Sequence, residues 1–70
     1  MSWIDDVRVV VNRLPIEFEL SDVYHYVPEL ARKHPRNRNV EAKIRQQLQI
    51  LRDAGALVFV NYRGRYRRKH

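Results

Sequence analysis

The sequence predicts an α+β domain with three helices, one short strand and a C-terminal two-stranded hairpin. Three observations support this prediction. Residues 39–55 form a long amphipathic pattern with helical spacing, a shorter helical pattern precedes it, and a basic turn at 34–39 joins the two. Residues 56–68 then combine strand-forming and turn-forming side chains. We therefore expect a single domain over residues 1–70, with the helix pair at about 21–54 and the hairpin at about 56–68.

The stretch 39–55, the central helix, carries its own start and stop signals. Asn39 is a good N-cap, and Gly55 suits the position just after the last turn. A buried stripe is expected from the apolar residues at helical spacing, which are Val40, Ile44, Leu48 and Leu51. Gln47 points into this apolar arc, so we expect a buried amide there. The opposite face is rich in amides, which can read base edges, and carries Ala42, Arg45, Gln46, Gln49, Arg52 and Asp53.

The N-terminal part of the chain predicts a helix followed by a short strand. Ser2 and Asp5 match a capping box that opens a helix over residues 2–13, and Pro15 follows its end. Apolar and acidic residues alternate over 16–20, which is typical of a short half-buried strand.

The second helix is expected to begin with Ser21 as its N-cap. Pro28 falls inside its apolar pattern and removes one backbone hydrogen bond, so the helix should kink or restart near Val27. Of the two, we expect a bend and not two unrelated helices. The turn 34–39 then places basic side chains at the N-terminus of the central helix, where phosphate groups are favoured.

The C-terminal part predicts a basic hairpin. Residues 56–60 form one strand and residues 65–68 the returning strand, and Gly64 suits a positive φ in the turn between them. A helix, a short strand, a helix-turn-helix unit and a basic hairpin, in this order, form a winged helix-turn-helix. In that arrangement the central helix enters the major groove, and the hairpin, the wing, lies along a flanking groove or the backbone.

The charge distribution indicates an anionic partner. Residues 1–31 hold two arginines against six acids, a balance of −4, whereas residues 32–70 hold twelve Lys or Arg against two acids, a balance of +10. Nucleic acid is favoured over a membrane, because the apolar stripe of the central helix is needed for the core. The sequence has no cysteine, which excludes disulfides and thiolate zinc sites and fits a reducing cytoplasm. It shows neither a signal peptide pattern nor an apolar run long enough to cross a membrane.

The candidate DNA-binding residues combine base-reading and phosphate-binding side chains. Gln46 and Gln49 can bond adenine, and Arg45 can reach guanine or a phosphate. The remaining cations are expected at phosphates or, in the wing, in a minor groove, and about six such contacts predict a log–log salt slope near −5. The full set is Arg36, Asn37, Arg38, Asn39, Ala42, Lys43, Arg45, Gln46, Gln49, Arg63 and Arg65.

We expect no catalytic residue, metal site or cofactor in this chain. The triplet from Glu41 to Lys43 spells the end of a metal-dependent nuclease motif, but no second acid lies near it in sequence, so we interpret it as a coincidence. His25 and His34 are not at a usual metal-ligand spacing.

Several short motifs, spread over nearly the whole chain, resemble one known family. They are Trp3, Asp6-Val7, Phe18-x-Leu20-x-Asp22-Val-Tyr24, His34-Pro35, Asn37, Asn39-Val40, Ala42-Lys-Ile-Arg-Gln-Gln-Leu-Gln-Ile-Leu-Arg-Asp-x-Gly55, Phe59 and Gly64-x-Tyr66. Together they resemble the C-terminal winged helix domain of the Dam-replacing protein family, which includes DpnI-type methyl-directed restriction endonucleases. In that family a nuclease domain cuts GATC sites carrying N6-methyladenine, and the winged helix adds a second, methyl-sensitive reading of the DNA.

The resemblance implies double-stranded DNA with methylated GATC sites as the partner, and a cytoplasmic, nucleoid-associated location. It also implies a nuclease domain in the parent protein, so the chain is either the recognition module of a restriction-modification enzyme or a free-standing reader. Ala42 and Val40, short apolar residues near the start of the central helix, are the expected lining for the methyl group, although core packing is favoured for Val40. A fully buried methyl contributes about 0.8 kcal/mol.

Two other interpretations stay open. One is a generic winged helix regulator without methyl preference, in which Val58 and Val60 or the first helix pair two subunits. The other is an RNA-binding or protein-binding winged helix, in which the 62–66 segment stacks single-stranded bases.

Overall fold

The computed structural model describes residues 2–61 and 64–69 and shows helices packed on a small sheet. The three described strands form one antiparallel sheet in the order β1-β3-β2. This α+β arrangement confirms the predicted winged helix fold. The elements in chain order are α1 (Trp3–Arg13), β1 (Glu17–Glu19), α2 (Leu20–Tyr24), α3 (Val27–Lys33), α4 (Val40–Asp53), β2 (Leu57–Asn61) and β3 (Arg65–Arg68).

Local hydrogen bonds fix both ends of α4 as the sequence predicts. The Asn39 side-chain oxygen accepts the backbone N–H of Ala42 at 3.1 Å, which makes Asn39 the N-cap. At the other end Gly55 adopts a φ of 84°, and its N–H donates to the Arg52 carbonyl at 3.0 Å. The next N–H, from Ala56, donates to Leu51 at 2.9 Å, which completes a Schellman motif.

The predicted N-cap of the second helix was wrong. Helix α2 begins at Leu20 and its N-cap is Glu19, two residues before the expected Ser21. The physical reason is Asp22, whose Oδ2 accepts the backbone N–H of Glu19 at 2.8 Å and so draws the first turn back along the chain.

The second helix restarts near Val27, one of the two outcomes that Pro28 predicts, but the preference for a bend over two separate helices was wrong. Helix α2 ends at Tyr24, and α3 begins at Val27, where the sequence placed the disturbance. Pro28 lies in the first turn of α3, where its missing N–H leaves no helical hydrogen bond unmade.

The core lies between the helices and one face of the sheet. The central helix turns its predicted apolar stripe inward, and Gln47 is buried with it, as expected. The predicted half-buried strand is shorter than expected, because Ile16 precedes β1 and is 51% exposed. The buried apolar residues are Val7, Val10, Val11, Phe18, Val23, Leu30, Val40, Ile44, Leu48, Leu51, Leu57 and Tyr66.

Aromatic rings join the sheet to α4. Tyr66 stands opposite Phe18 and Phe59 in the two strand registers, with ring centroids 5.7 Å and 4.9 Å away. The guanidinium carbon of Arg52 lies 4.5 Å from the centroid of the Phe59 ring and extends the stack. Burial raises the pKa of the Tyr66 hydroxyl, and the positive charge of Arg52 opposes that rise.

The basic C-terminal segment has a structural role that the sequence did not reveal. The Nη1 atom of Arg68 donates to the carbonyl oxygens of Val11 and Leu14, at 2.9 Å and 3.0 Å. These carbonyls lie at the C-terminal end of α1, where a cation also suits the helix dipole. Arg68 therefore ties the last strand to the first helix.

Candidate nucleic-acid interface

The start of α4 gathers several of the predicted DNA-binding residues on one surface. Because the apolar stripe is buried, the helix presents its opposite face to solvent, with Arg45, Gln46 and Gln49 exposed. A shallow open depression lies at its N-terminal end. It is lined by Asn37, Asn39, Ala42, Lys43 and Gln46.

The turn before α4 presents two cations from a hydrogen-bonded backbone. Arg36 and Arg38 are exposed. The N–H of Asn37 donates to the His34 carbonyl at 3.0 Å, and the Asn37 side-chain oxygen accepts the N–H of Asn39 at 2.9 Å. The side-chain oxygens of both asparagines therefore serve the turn and the helix cap, which leaves their NH₂ groups as donors toward a ligand.

A buried cluster behind this turn was missed by the sequence analysis. Asp6 is only 5% exposed, and its Oδ2 lies 2.6 Å from Nε2 of His34. The His34 ring stacks on Trp3 with centroids 4.0 Å apart, and the Lys33 ammonium lies 3.9 Å from the other Asp6 oxygen. This cluster of Trp3, Asp6 and His34, here the anchor cluster, holds the end of α3 against α1. Its signal in the sequence was the helical spacing of Asp6 with Trp3 and Val10 on the buried side of the first helix.

Two of the candidate base readers on α4 already have side-chain partners. Nη1 of Arg45 donates to the hydroxyl of Tyr24 at 2.8 Å, across to α2. Nε2 of Gln49 donates to Oδ1 of Asp53, one turn along α4, at 3.3 Å. Gln46, which lies nearer the helix start, lines the depression described above.

The wing carries fewer available cations than its sequence suggests. Arg65 lies in β3 opposite Glu19, and its Nη1 is 3.2 Å from the Glu19 carboxylate. Arg52, which lies at the end of α4 beside the wing, is stacked on the Phe59 ring of β2. Arg63, the other predicted wing contact, lies outside the described residues.

The site shows no grouping suited to metal chemistry in the part of the chain that the structure describes. Within residues 2–61 and 64–69, no three His, Cys, Asp or Glu side chains are placed to hold a metal ion. Among the helices described in those ranges, none combines the length and apolar character needed to span a bilayer.

The fold and this exposed helix surface define a DNA-binding domain of the winged helix class. The chain matches the family model of the Dam-replacing HTH (helix-turn-helix) domain over residues 1–68, and it belongs to that family. The match confirms the resemblance recognised in the sequence. Membership implies binding to double-stranded DNA, and domains of this class are typically non-catalytic.

Proposed function

We propose that this domain reads N6-methyladenine in GATC sites of double-stranded DNA by inserting the first half of α4 into the major groove. The observation that carries the proposal is the depression at the helix start. There a small apolar side chain, Ala42, lines the same surface as an amide, Gln46, and a cation, Lys43. Such a surface offers a methyl contact and a hydrogen-bonding group side by side.

The chemistry of the methylated base assigns separate tasks to these side chains. Methylation leaves one hydrogen on N6, and base pairing with thymine uses it, so the methyl group projects into the major groove. A side-chain amide then cannot bond N6 and N7 together as it does on unmodified adenine. We therefore assign the methyl contact to Ala42 and a single donated bond, to adenine N7, to Gln46.

The phosphate contacts in this proposal come from the turn and the helix start. Arg36 and Arg38 are exposed there, and Lys43 lies on the first turns of α4. The free N–H groups and positive dipole end of a helix N-terminus also favour phosphate. The wing, with Arg63 and Arg65, is proposed as a secondary contact to a flanking groove. In a parent nuclease or alone at the nucleoid, the domain uses this same surface.

Fluorescence anisotropy at fixed salt tests the proposal directly. The duplexes are unmethylated, hemimethylated and fully methylated GATC and an unrelated sequence, with single-stranded RNA as a fifth ligand. One buried methyl contributes about 0.8 kcal/mol, so affinity should rise about fourfold for the methyl group that Ala42 contacts, and about fifteenfold only where the second methyl group of the site is buried as well. Equal affinity for all duplexes would leave a generic winged helix regulator, and preferred binding of the RNA would reject the DNA reading altogether.

Charge variants locate the surface independently of methylation. Arg36→Ala and Arg38→Ala should each weaken binding to all duplexes alike and reduce the salt slope by about 1. Arg8→Ala is the matched control, because Arg8 is an exposed arginine on α1 that lies near Leu51 and Ala56, at the opposite end of α4. A slope that fell as much in the control as in the two turn variants would contradict this placement.

Ala42 variants test the methyl contact. Ala42→Phe should block the approach of α4 to the methylated base and abolish the methyl preference. Ala42→Gly should lower the preference while unmethylated DNA still binds, after allowance for the stability that glycine costs within a helix. Retention of the full methyl preference in Ala42→Phe would remove Ala42 from the proposed contact.

A further inference from the structure

The hydrogen bond between Arg45 and Tyr24 links the DNA-facing side of α4 to the preceding helix α2. Nη1 of Arg45 donates to the Tyr24 hydroxyl at 2.8 Å. The Tyr24 side chain packs against the hydrophobic core, so its hydroxyl is a fixed point, whereas Arg45 is exposed. A flexible exposed arginine is thus held by a residue that the core positions.

We propose that Tyr24 is a positioning residue for sequence recognition: its hydroxyl holds Arg45 in the orientation that reads the guanine next to the methylated adenine. This inference rests on the proposed function. An arginine has five N–H donors in a planar fork, and the bond to Tyr24 uses only one of its terminal nitrogens. The other donors remain available for a two-bond contact with guanine O6 and N7, which is the commonest specific contact of arginine with a base.

The spacing along α4 suits adjacent base pairs. Ala42 and Arg45 are three residues apart on one helix, so their Cβ atoms lie about 5–6 Å from each other on the same face. Neighbouring base pairs along DNA are separated by about 3.4 Å. With Ala42 at the methylated adenine of GATC, this spacing lets Arg45 reach a neighbouring base pair, and we place it at the guanine on the 5′ side.

The energetic benefit of Tyr24 is preorganisation. An unrestrained arginine side chain loses rotamer freedom when it binds a base, and that loss weakens binding. A hydrogen bond formed in the free protein removes part of the loss beforehand. The same bond also orients the plane of the guanidinium, on which the two-bond contact with guanine depends.

The test uses Tyr24→Phe, which deletes one oxygen atom and keeps the packed ring. Binding is measured on fully methylated GATC and on the same duplex with 7-deazaguanine at the guanine of each site, which removes the N7 acceptor. The wild-type protein should bind the guanine duplex at least about fivefold more tightly than the 7-deazaguanine duplex. This ratio of the two affinities is the guanine ratio. Tyr24→Phe should reduce that ratio by about threefold or more and leave the salt slope unchanged.

Two further variants serve as controls for the role of the Tyr24 hydroxyl. Tyr26→Phe makes the same chemical change in a residue two positions along, whose ring faces Arg13, and it should leave the ratio as in wild type. Arg45→Lys keeps the charge but loses the planar fork, so it should lower the ratio by itself. Adding Tyr24→Phe to Arg45→Lys should have no further effect, because both changes remove the same contact. Arg45→Lys does not alter the core, so the contact of Arg45 with guanine, on which the role of Tyr24 depends, is tested even where Tyr24→Phe is poorly folded.

Three outcomes would overturn the inference. The first is a guanine ratio of one in the wild-type protein, and the second is a guanine ratio that Tyr24→Phe leaves unchanged. The third is tighter binding of every duplex by Tyr24→Phe, which would mean that Tyr24 holds Arg45 away from DNA. The inference and the proposed function fail separately. A lack of methyl preference with a Tyr24-dependent guanine ratio rejects only methyl reading, whereas a methyl preference with an unaffected ratio rejects only the role of Tyr24.

Discussion

Replacement of the buried carboxylate in the anchor cluster, Asp6→Ala, should destabilise the domain strongly. The hydrogen bond to His34 involves a charged group and contributes about 1.5–3 kcal/mol, while the more exposed Lys33 pair adds less than about 1 kcal/mol. We therefore expect a loss of about 2–4 kcal/mol. At about 0.05–0.15 kcal/mol per residue, a chain of this length has a total stability of about 3.5–10 kcal/mol. The variant should therefore lose a large fraction of its total free energy of unfolding.

Urea unfolding followed by circular dichroism measures this change, with Asp5→Ala as the matched control. Asp5 has the same side chain in the same helical turn, but it is exposed and bonds only within that turn, to Ser2. Both substitutions gain the helix propensity of alanine and lose one negative charge near the helix N-terminus, so these terms cancel in the comparison. We expect Asp5→Ala to cost less than about 1 kcal/mol.

The comparison can refute the reasoning cleanly. The contradicting result is a difference of less than about 0.5 kcal/mol between the free energies of unfolding of Asp6→Ala and Asp5→Ala. In that case the desolvation cost of the buried Asp6 carboxylate equals the stabilisation from its hydrogen bond and ion pair. The anchor cluster would then contribute nothing to stability.

Three further predictions concern the core, a helix end and the sheet. Leu48→Ala removes a fully buried side chain of α4 and should cost about 2–5 kcal/mol in urea unfolding. Gly55→Ala should cost about 1 kcal/mol because alanine disfavours the φ of 84° found at this position. No steric clash adds to that cost, since open space surrounds the position, and Gly55→Asn should cost less. Burial raises the pKa of Tyr66 above the ordinary value of 10.0. The contribution of this shift to the free energy of unfolding is complete below pH 10 and is lost as the pH rises through the folded-state pKa. The difference in urea midpoint between wild type and Tyr66→Phe should therefore change only above pH 10.

The features that sequence could predict are those set by neighbouring residues. The cap bond at Asn39 joins residues three positions apart and the longer Schellman bond at Gly55 joins residues five positions apart, so both depend on residues within one or two turns of each other. The buried stripe of α4 follows from helical spacing in the same way. The error at Ser21 shows the limit of such reasoning, because a competing local signal, Asp22, displaced the helix start by two residues.

The features that sequence could not predict join residues far apart in the chain. The Asp6 to His34 bond spans 28 positions, the Arg65 to Glu19 pair spans 46, and the bond from Arg68 to Val11 spans 57. No local pattern marks these partners, and each one appears only when the helices and strands are packed. Tyr24 is a similar case, since its bond to Arg45 requires that α2 and α4 lie side by side.

The net charge of this domain therefore overestimates the number of cations that are available to contact DNA. Of the cations in the basic half of the chain, Arg52 stacks on an aromatic ring, Arg65 faces an acid, and Arg68 binds carbonyls at the end of α1. Exposed cations remain at Arg36 and Arg38, beside the start of α4, and at Arg67 and Lys69 in the C-terminal segment. Because exposed charges set the long-range field that orients an approaching polyanion, Arg36 and Arg38 should raise the rate of association with DNA. Neutralising the turn should then slow association as well as weaken binding, whereas Arg65→Ala should mainly loosen the pairing of β1 with β3.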